Sequence, residues 1–255
     1  GGTDVAKAAA DLILLDDNFA SIVAAIEEGR AVFENIRKFL TYILSSNIPE
    51  LIPYLAFVLF RIPLPLTILQ ILAVDLGTDM LPALALGAEK PDPAVMTRPP
   101  RTRSERLLSW GLIARAYLFL GILEAVAAMG VFFFVLEAGS WHYGDFLDRH
   151  QTLYLEATSA CLATIVVTQM VNVYLCRHPL HSLLSYGLGG NRYLQIGILA
   201  ELAVILFILY TPAGNWLFGT APISGTIWLL ATTCAAAMCL LEELRKRWLR
   251  QAVQG

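Results

Sequence analysis

The sequence predicts an all-α membrane protein, a bundle of six transmembrane helices preceded by a short remnant of a soluble α/β domain. Three observations lead to this fold class. Of the 255 residues, 57% are hydrophobic and only 15% are charged, whereas a soluble domain carries about a quarter charged residues. Several apolar stretches approach the length of about 20 residues that crosses a bilayer. The basic residues between those stretches also alternate in a regular way from one loop to the next.

Six stretches are candidate spans, and together they define a membrane domain over residues 31–255. The first two are joined by a tight turn at Arg61 to Pro65 and therefore form a hairpin. Both contain proline and polar residues, so hydropathy alone identifies them less clearly than the other four. The predicted spans are about 39–60, 64–86, 113–136, 153–174, 193–210 and 226–241.

The distribution of Lys and Arg predicts the orientation of the bundle. Fifteen of these residues fall in the N-terminal segment, in the loops after the second and fourth spans, and at the C-terminus. The opposite side holds only Arg61 and Arg149, and its longest loop, 137–151, is acidic. Since basic loops stay in the cytoplasm, we expect both termini to be cytoplasmic. The net charge of -3 argues against a nucleic-acid partner.

Residues 1–30 differ in character from the rest of the chain. The segment Asp11-Leu-Ile-Leu-Leu-Asp16 is typical of a short buried strand. Asn18 or Ser21 follows as a candidate N-cap for a helix that begins near Phe19 and runs into the first span. We therefore expect 1–15 to be the trailing edge of a soluble α/β domain, and the chain to be a fragment of a longer protein.

Polar residues inside the first span point to function. Ser46, Asn47 and Glu50 are spaced three and four residues apart, so a helix places them on one face. Pro49 and Pro53 remove backbone donors from the same turns. The carbonyls freed in this way, next to a carboxylate, would make an oxygen-rich cation site.

The second span repeats this pattern with Asp75, Thr78 and Asp79. Gly77 and Pro82 predict that the helix is broken here, and a broken helix at membrane depth is tolerated only where it lines a cavity or is buried in protein. A carboxylate at the bilayer centre costs about 2.5–3.5 kcal/mol, so three in adjacent spans favour a hard-cation site. Interhelical hydrogen bonding without a ligand is the alternative, and it fits Asn47 or Thr78 taken alone.

Later spans contain weaker candidates. Gln169 and Asn172, three residues apart in the fourth span, are equally compatible with cation ligands and with interhelical hydrogen bonding. Glu201 lies near the middle of the fifth span and is a candidate proton or ion site. Glu124, in the third span, has no evident partner in the sequence, and we assign it no role.

Two of these segments carry a specific family resemblance. Ser46-Asn-Ile-Pro-Glu50 followed by Asp75-Leu-Gly-Thr-Asp-Met-Leu-Pro82 resembles the fifth and sixth transmembrane helices of P-type cation-transporting ATPases. The match is closest to the sodium/potassium-pump-like branch and then to the calcium-pump branch. Leu15–Ile22 with Glu27–Arg30 resembles the end of the family's phosphorylation domain and its stalk, which extends the likeness over residues 1–30. The later spans resemble the family's last four helices.

The resemblance implies a cation-binding role for matching positions of this chain. The positions it marks as cation ligands are Ser46, Asn47, Glu50, Asp75, Thr78, Asp79 and Gln169. Glu201 and Tyr42 match residues that line a third sodium site in sodium/potassium pumps. Asn172 stands where those pumps usually have an acid, and this departure keeps calcium open beside sodium and potassium as the transported cation.

The family's catalytic motifs are absent from these 255 residues. Neither the phosphorylated Asp-Lys-Thr-Gly nor the Thr-Gly-Asp-Gly hinge occurs in the sequence. The resemblance therefore implies a part that moves cations by alternating access in the plasma membrane, with N-terminal pump domains that supply Mg-ATP hydrolysis. Two alternatives remain open: a non-enzymatic ion-conducting or regulatory subunit, and an inactive truncated fragment.

Overall fold

The computed structural model describes residues 2–11, 13–14, 18–102 and 105–254, and within them it contains helices and no strand. Six helices are long and apolar enough to cross a membrane, which confirms the predicted all-α membrane bundle. We label them α1 to α6 and define them as Phe19–Phe60, Ile68–Gly87, Trp110–Ala138, Thr152–Arg177, Arg192–Tyr210 and Gly225–Ala252.

The helices extend beyond the predicted spans at the ends of the first and last. α1 begins twenty residues before the predicted position 39, at Asn18, whose side-chain oxygen accepts a hydrogen bond from the Ala20 amide at 3.0 Å. This N-cap is one of the two that the sequence predicted. Since no proline or glycine follows residue 241 before Gly255, α6 continues through charged residues to Ala252.

The strand predicted over 11–16 is not formed by the residues that can be described. Leu12, Leu15 and Asp16 lie outside them, while Ile13 and Leu14 have no strand geometry and Ile13 is 46% exposed. A strand needs a neighbouring strand for its backbone hydrogen bonds. The described segments provide none. Within them, a short helix, Asp4–Ala9, precedes α1.

α1 is interrupted at Asn47, which ends one helix, Phe19–Ser46, and begins the next, Ile48–Phe60. Pro49 lies in the first turn of the second helix, where a missing N–H costs little. Pro53 lies inside that helix and removes the hydrogen bond that would run back to Pro49. The interruption at Asn47 therefore lies about one helical turn before Glu50.

α2 is continuous, which corrects the predicted break near Gly77. Instead of breaking, it widens into a π-helical stretch over Ala73–Asp79 between two α-helical parts. α3 contains a second such stretch over Ala114–Gly121. A π-turn releases i→i−4 bonds but makes i→i−5 bonds in their place, so the backbone can absorb the irregularity without leaving the helix.

α4 is the most deeply buried helix and forms the centre of the bundle. α3 and α6 pack against it, α5 packs against α2, and α1 packs against α2 and α3. The main apolar cluster joins α3, α4 and α5 around Phe132, Ile165 and Ile205. A second cluster gathers around Tyr42 and Leu120.

One end of the bundle holds two clusters of buried ion pairs, and we call it the basic end. It contains the first half of α1, the loops after α2 and α4, and the last part of α6. There Glu89 binds both Lys38 and Arg177. Nearby, Arg115 of α3 donates from Nε and Nη2 to Glu242 of α6, at 3.1 and 2.7 Å.

Candidate cation-binding site

The interruption of α1 presents a row of oxygen atoms to the interior. Ser45 and Ser46 are buried, and their hydroxyls donate to the carbonyls of Tyr42 and Ile43 at 2.8 and 3.0 Å. Glu50 is only 7% exposed, and its Oε1 has no hydrogen-bond partner among the described residues. Asn47 instead lies on the exposed side of the interruption, where its amide donates back to the Ile43 carbonyl at 2.6 Å.

Asp79 of α2 lies at the centre of these groups. Its Oδ1 accepts a hydrogen bond from the Tyr42 hydroxyl at 3.2 Å and lies 3.5 Å from Thr78 Oγ1, while its Oδ2 is buried without a partner. Asp79 is 1% exposed. The Ser46 side chain also lies beside this carboxylate.

Asp75, four residues before Asp79 in α2, is exposed. Asp79 is buried in the same π-helical stretch, so the two carboxylates differ in their surroundings although they are close in the chain. Asp75 lies within electrostatic range of both Glu50 and Asp79.

α4 contributes two buried amides that differ in their contacts. Asn172 donates from Nδ2 to the Ser45 hydroxyl at 2.7 Å, and its Oδ1 accepts a weak hydrogen bond from Cys176 Sγ at 3.4 Å. Gln169, three residues earlier, is fully buried, and neither its Nε2 nor its Oε1 has a partner. Asn172 therefore joins α4 to the interruption of α1, while the Gln169 amide makes no hydrogen bond among the described residues.

α5 brings Glu201 to the same region. Gly197, one turn earlier, permits the approach, because a Cβ at that position would lie 3.0 Å from the Pro82 nitrogen of α2. Glu201 is fully buried and lies close to the Tyr42 hydroxyl and to the Asp79 carboxylate. Neither of its oxygens makes a hydrogen bond of ordinary length and angle among the described residues.

Most buried carboxylate and amide groups of this region therefore lack a partner. Leaving a buried polar atom unpaired costs about 1–3 kcal/mol, and more for a charged group. Native structures contain few such atoms, so a concentration of them requires an explanation. The atoms are Glu50 Oε1, Asp79 Oδ2, both oxygens of Glu124 and of Glu201, and the two amide atoms of Gln169.

These groups surround a region and do not close on a single point. Within the described residues, no three His, Cys, Asp or Glu side chains converge into a group that could hold a metal ion. The inward-facing set is Ser46, Glu50, Thr78, Asp79, Gln169, Asn172 and Glu201, whereas Asn47 and Asp75 face outward. Oxygen atoms of carboxylate, hydroxyl and amide groups are the donors that hard cations prefer.

Two residues of this region were not selected from the sequence. Ser45 connects Asn172 with the backbone of Tyr42, a role that only the packing of α4 against α1 reveals. Glu124 of α3 is fully buried, and Asp79 and Glu50 are the charged groups that act on it. An acid within an otherwise apolar run was its signal, but the sequence offered no partner for it.

Comparisons with known proteins identify the family to which the chain is similar. A family model described as cation transporting ATPase, C-terminus, matches residues 63–248. Sodium/potassium-transporting ATPase subunits are similar over 100% of this chain: subunit alpha-4 of Homo sapiens at 35% identity, subunit alpha of Hydra vulgaris at 38%, and subunit alpha-2 of Gallus gallus at 37%. The chain spans 27% of the length of each of these relatives.

Proposed function

The chain belongs to the cation-transporting ATPases and matches their C-terminal cation-transporting membrane region, and we propose that it binds the transported cation within an ATP-driven pump. The observation that carries the proposal is the group of buried, unpartnered oxygen atoms on Glu50, Asp79, Gln169 and Glu201. They come from four different helices and surround one region of the bundle. A dehydrated cation would supply the partner that each of them lacks.

The exposed face of the site supports a further part of the proposal, which is that other helices complete it. Asp75 is exposed on α2 between apolar residues that are also exposed, such as Leu72, Leu76 and Met80. A carboxylate facing lipid at this depth would cost about 2.5–3.5 kcal/mol. In the relatives, 73% of the length lies outside the matched part, so the whole pump has ample chain to cover this face.

The long first helix offers a mechanical link between the site and the rest of a pump. α1 begins at Phe19 and continues without interruption to Ser46, next to the site. We propose that both termini are cytoplasmic, and that residues 1–30 connect to a phosphorylation domain of the pump's N-terminal part, where Mg-ATP is used. Movement of this stalk would then shift Ser46 and Glu50 against Asp79 and open the site to alternate sides of the plasma membrane.

Sodium and potassium are the transported cations that we favour, since the relatives at 35–38% identity are sodium/potassium-transporting ATPase subunits. Calcium is the alternative because Asn172 supplies a neutral amide, hydrogen-bonded to Ser45, where a further carboxylate would complete a sodium site. The two possibilities differ in the ion that the site takes, and they share the same oxygen ligands.

Equilibrium binding of ²²Na⁺, ⁸⁶Rb⁺ (for potassium) and ⁴⁵Ca²⁺ to the detergent-purified chain tests the proposal. The comparison is a double variant, Asp75→Asn with Asp79→Asn. Its control is Glu28→Gln with Glu137→Gln, which removes the same number of negative charges from two exposed positions. We expect saturable binding of one ion to be lost in the first variant and retained in the second.

The result also separates the proposal from its alternatives. Binding that survives in the Asp75 and Asp79 variant contradicts a site at these residues. Absence of binding from the folded wild-type chain would mean that the missing helices are needed to complete the site. Ion flux across liposomes without ATP would instead favour a passive conducting subunit. Cation-stimulated ATP hydrolysis after co-expression with the N-terminal part of a relative would extend the proposal from binding to pumping.

A further inference from the structure

Glu124 is a buried acid that the function proposed above does not use and that forms no ion pair among the described residues. It lies in α3, three residues after the π-helical stretch Ala114–Gly121 ends. The residue is 0% exposed, and both of its carboxylate oxygens lack a hydrogen-bond partner among the described residues. Nothing in α3 itself explains an acid at this depth, because the surrounding residues are apolar.

The packing of α3 against α1 places Glu124 close to the interruption of α1. At Gly121 the two backbones are so close that a Cβ there would lie 2.6 Å from the Ile48 Cβ. Ile48 is the first residue after the interruption of α1 and lies two residues before Glu50. Gly121 and Glu124 are three residues apart and therefore share one face of the helix.

The electrostatic surroundings of Glu124 are those of the site. Asp79 and Glu50 are the charged groups that act electrostatically on Glu124. Glu124 in turn acts on the Tyr42 hydroxyl, as do Asp79 and Glu201. All of these neighbours are acidic, so none supplies a positive charge. Ionised together and without a counter-charge, they would repel one another in a medium that screens them poorly.

The basic residue of the same helix is engaged elsewhere. Arg115 donates to Glu242 from Nε and Nη2, and Nη2 also donates to the Leu175 carbonyl at 2.8 Å. Arg115 lies nine residues before Glu124, which is about 13 Å along a helix. Arg115 therefore does not neutralise Glu124.

We propose that Glu124 is a further cation-binding carboxylate of the site, contributed by α3, and that it takes the metal cation that the site transports. This inference rests on the proposed function and adds a fifth helix to those that supply oxygen ligands. Asp79 ends one π-helical stretch and Glu124 follows the other. π-turns are frequent at functional sites, and here the two could adjust to bring both carboxylates onto one ion.

A carboxyl group that always carries a proton is the competing explanation, and Glu124→Gln distinguishes it. The amide has the shape of a protonated carboxyl group and no charge, so a permanently protonated Glu124 predicts wild-type binding. A ligand predicts a loss. We expect Glu124→Gln to weaken binding of the transported ion at least tenfold, or to remove one ion from the stoichiometry, in assays with ²²Na⁺, ⁸⁶Rb⁺ and ⁴⁵Ca²⁺ on the purified chain.

Two further variants make the outcome specific. Glu137→Gln removes an exposed acid from the same helix and should bind as wild type. Asp79→Asn should lose binding. Wild-type affinity in Glu124→Gln together with loss in Asp79→Asn overturns this inference alone, whereas wild-type affinity in Asp79→Asn overturns the proposed function.

Folding is checked by helical circular dichroism and size-exclusion chromatography in the absence of cations. There Glu124→Gln should be at least as stable as wild type, because it removes an uncompensated charge. If the Gln variant does not fold, ion binding is measured on Glu124→Asp instead. This variant keeps the carboxylate charge but has a side chain shorter by one methylene. Weakened binding in Glu124→Asp supports the inference, and unchanged affinity overturns it.

Discussion

Replacing Glu89 with Gln should cause one of the largest losses of stability available to a single isosteric change in this protein. Glu89 follows α2 and binds two cations from other helices. Lys38 Nζ of α1 lies 2.9 Å from its Oε2, and Arg177 of α4 donates to its Oε1 from Nε at 2.6 Å and from Nη2 at 2.5 Å. The three side chains are only 7–11% exposed.

The magnitude follows from this burial. Removing one partner of a buried ion pair costs about 3–5 kcal/mol, because the remaining charge is left without compensation. Glu89→Gln leaves two such charges, Lys38 and Arg177, facing each other across a neutral amide. At about 2–4 °C per kcal/mol for a chain of this size, we expect the midpoint of thermal unfolding to fall by about 6–20 °C.

The assay is thermal unfolding in detergent, followed by far-ultraviolet circular dichroism, with Glu105→Gln as the matched control. Glu105 pairs with Arg37 at a similar distance of 3.0 Å, but their side chains are 41% and 36% exposed. An exposed pair contributes about 0–1 kcal/mol, so the control should shift by no more than about 4 °C. Equal small shifts in both variants would refute the reasoning from burial.

A double-mutant cycle separates the pair from other effects of the change. Glu89→Gln, Arg177→Gln and the double variant should give a coupling energy of about 1–3 kcal/mol, since contacting charges are not additive. Strict additivity would mean that the two side chains do not stabilise each other, whatever their distance.

Three further predictions concern other buried polar groups. His178→Gln should make the stability of the fold less sensitive to acid. Burial and nearby cations lower the pKa of His178 to about 4, so the stability present above pH 6.5 is lost in the wild type as the pH falls toward 4. Thermal unfolding measured across that pH range tests this. Glu242→Gln should cost about 3–5 kcal/mol in the same thermal assay, because it leaves Arg115 buried and unpaired. Tyr42→Phe should weaken cation binding by about tenfold in the radiolabelled-ion assay, because the Tyr42 hydroxyl holds the Asp79 carboxylate in place through a hydrogen bond that contributes about 1.5–3 kcal/mol.

The sequence predicts the bundle well because transmembrane length and loop charge are local properties. Apolar runs located all six helices, and the polar residues of two adjacent spans located the region that holds Glu50 and Asp79. A carboxylate in an apolar run is visible without any knowledge of its neighbours. For the same reason, Glu201 could be selected although its helix lies more than a hundred residues further along the chain.

The direction in which each side chain faces could not be predicted in this way. Asp75 is exposed and Asp79 is buried in a continuous helix that widens into a π-helical stretch, whereas glycine and proline in the sequence suggested a break. Arg115 falls inside a predicted span, and only the approach of α6 reveals Glu242 as its partner. Contacts of this kind depend on how distant helices pack, and hydropathy carries no information about them.

Buried charged groups in this bundle fall into two sets, and the contrast between them bears on function. The set at the basic end is fully paired: Lys38, Glu89, Arg115, Arg177, Glu242 and Lys246. The set at the interruption of α1 consists of acids with unpartnered oxygens and has no basic member: Glu50, Asp79, Glu124 and Glu201. The same protein therefore satisfies buried charges where they only join helices. Where it leaves them unsatisfied, all the charges have one sign, which is why we propose that the missing partner is a cation from outside the chain.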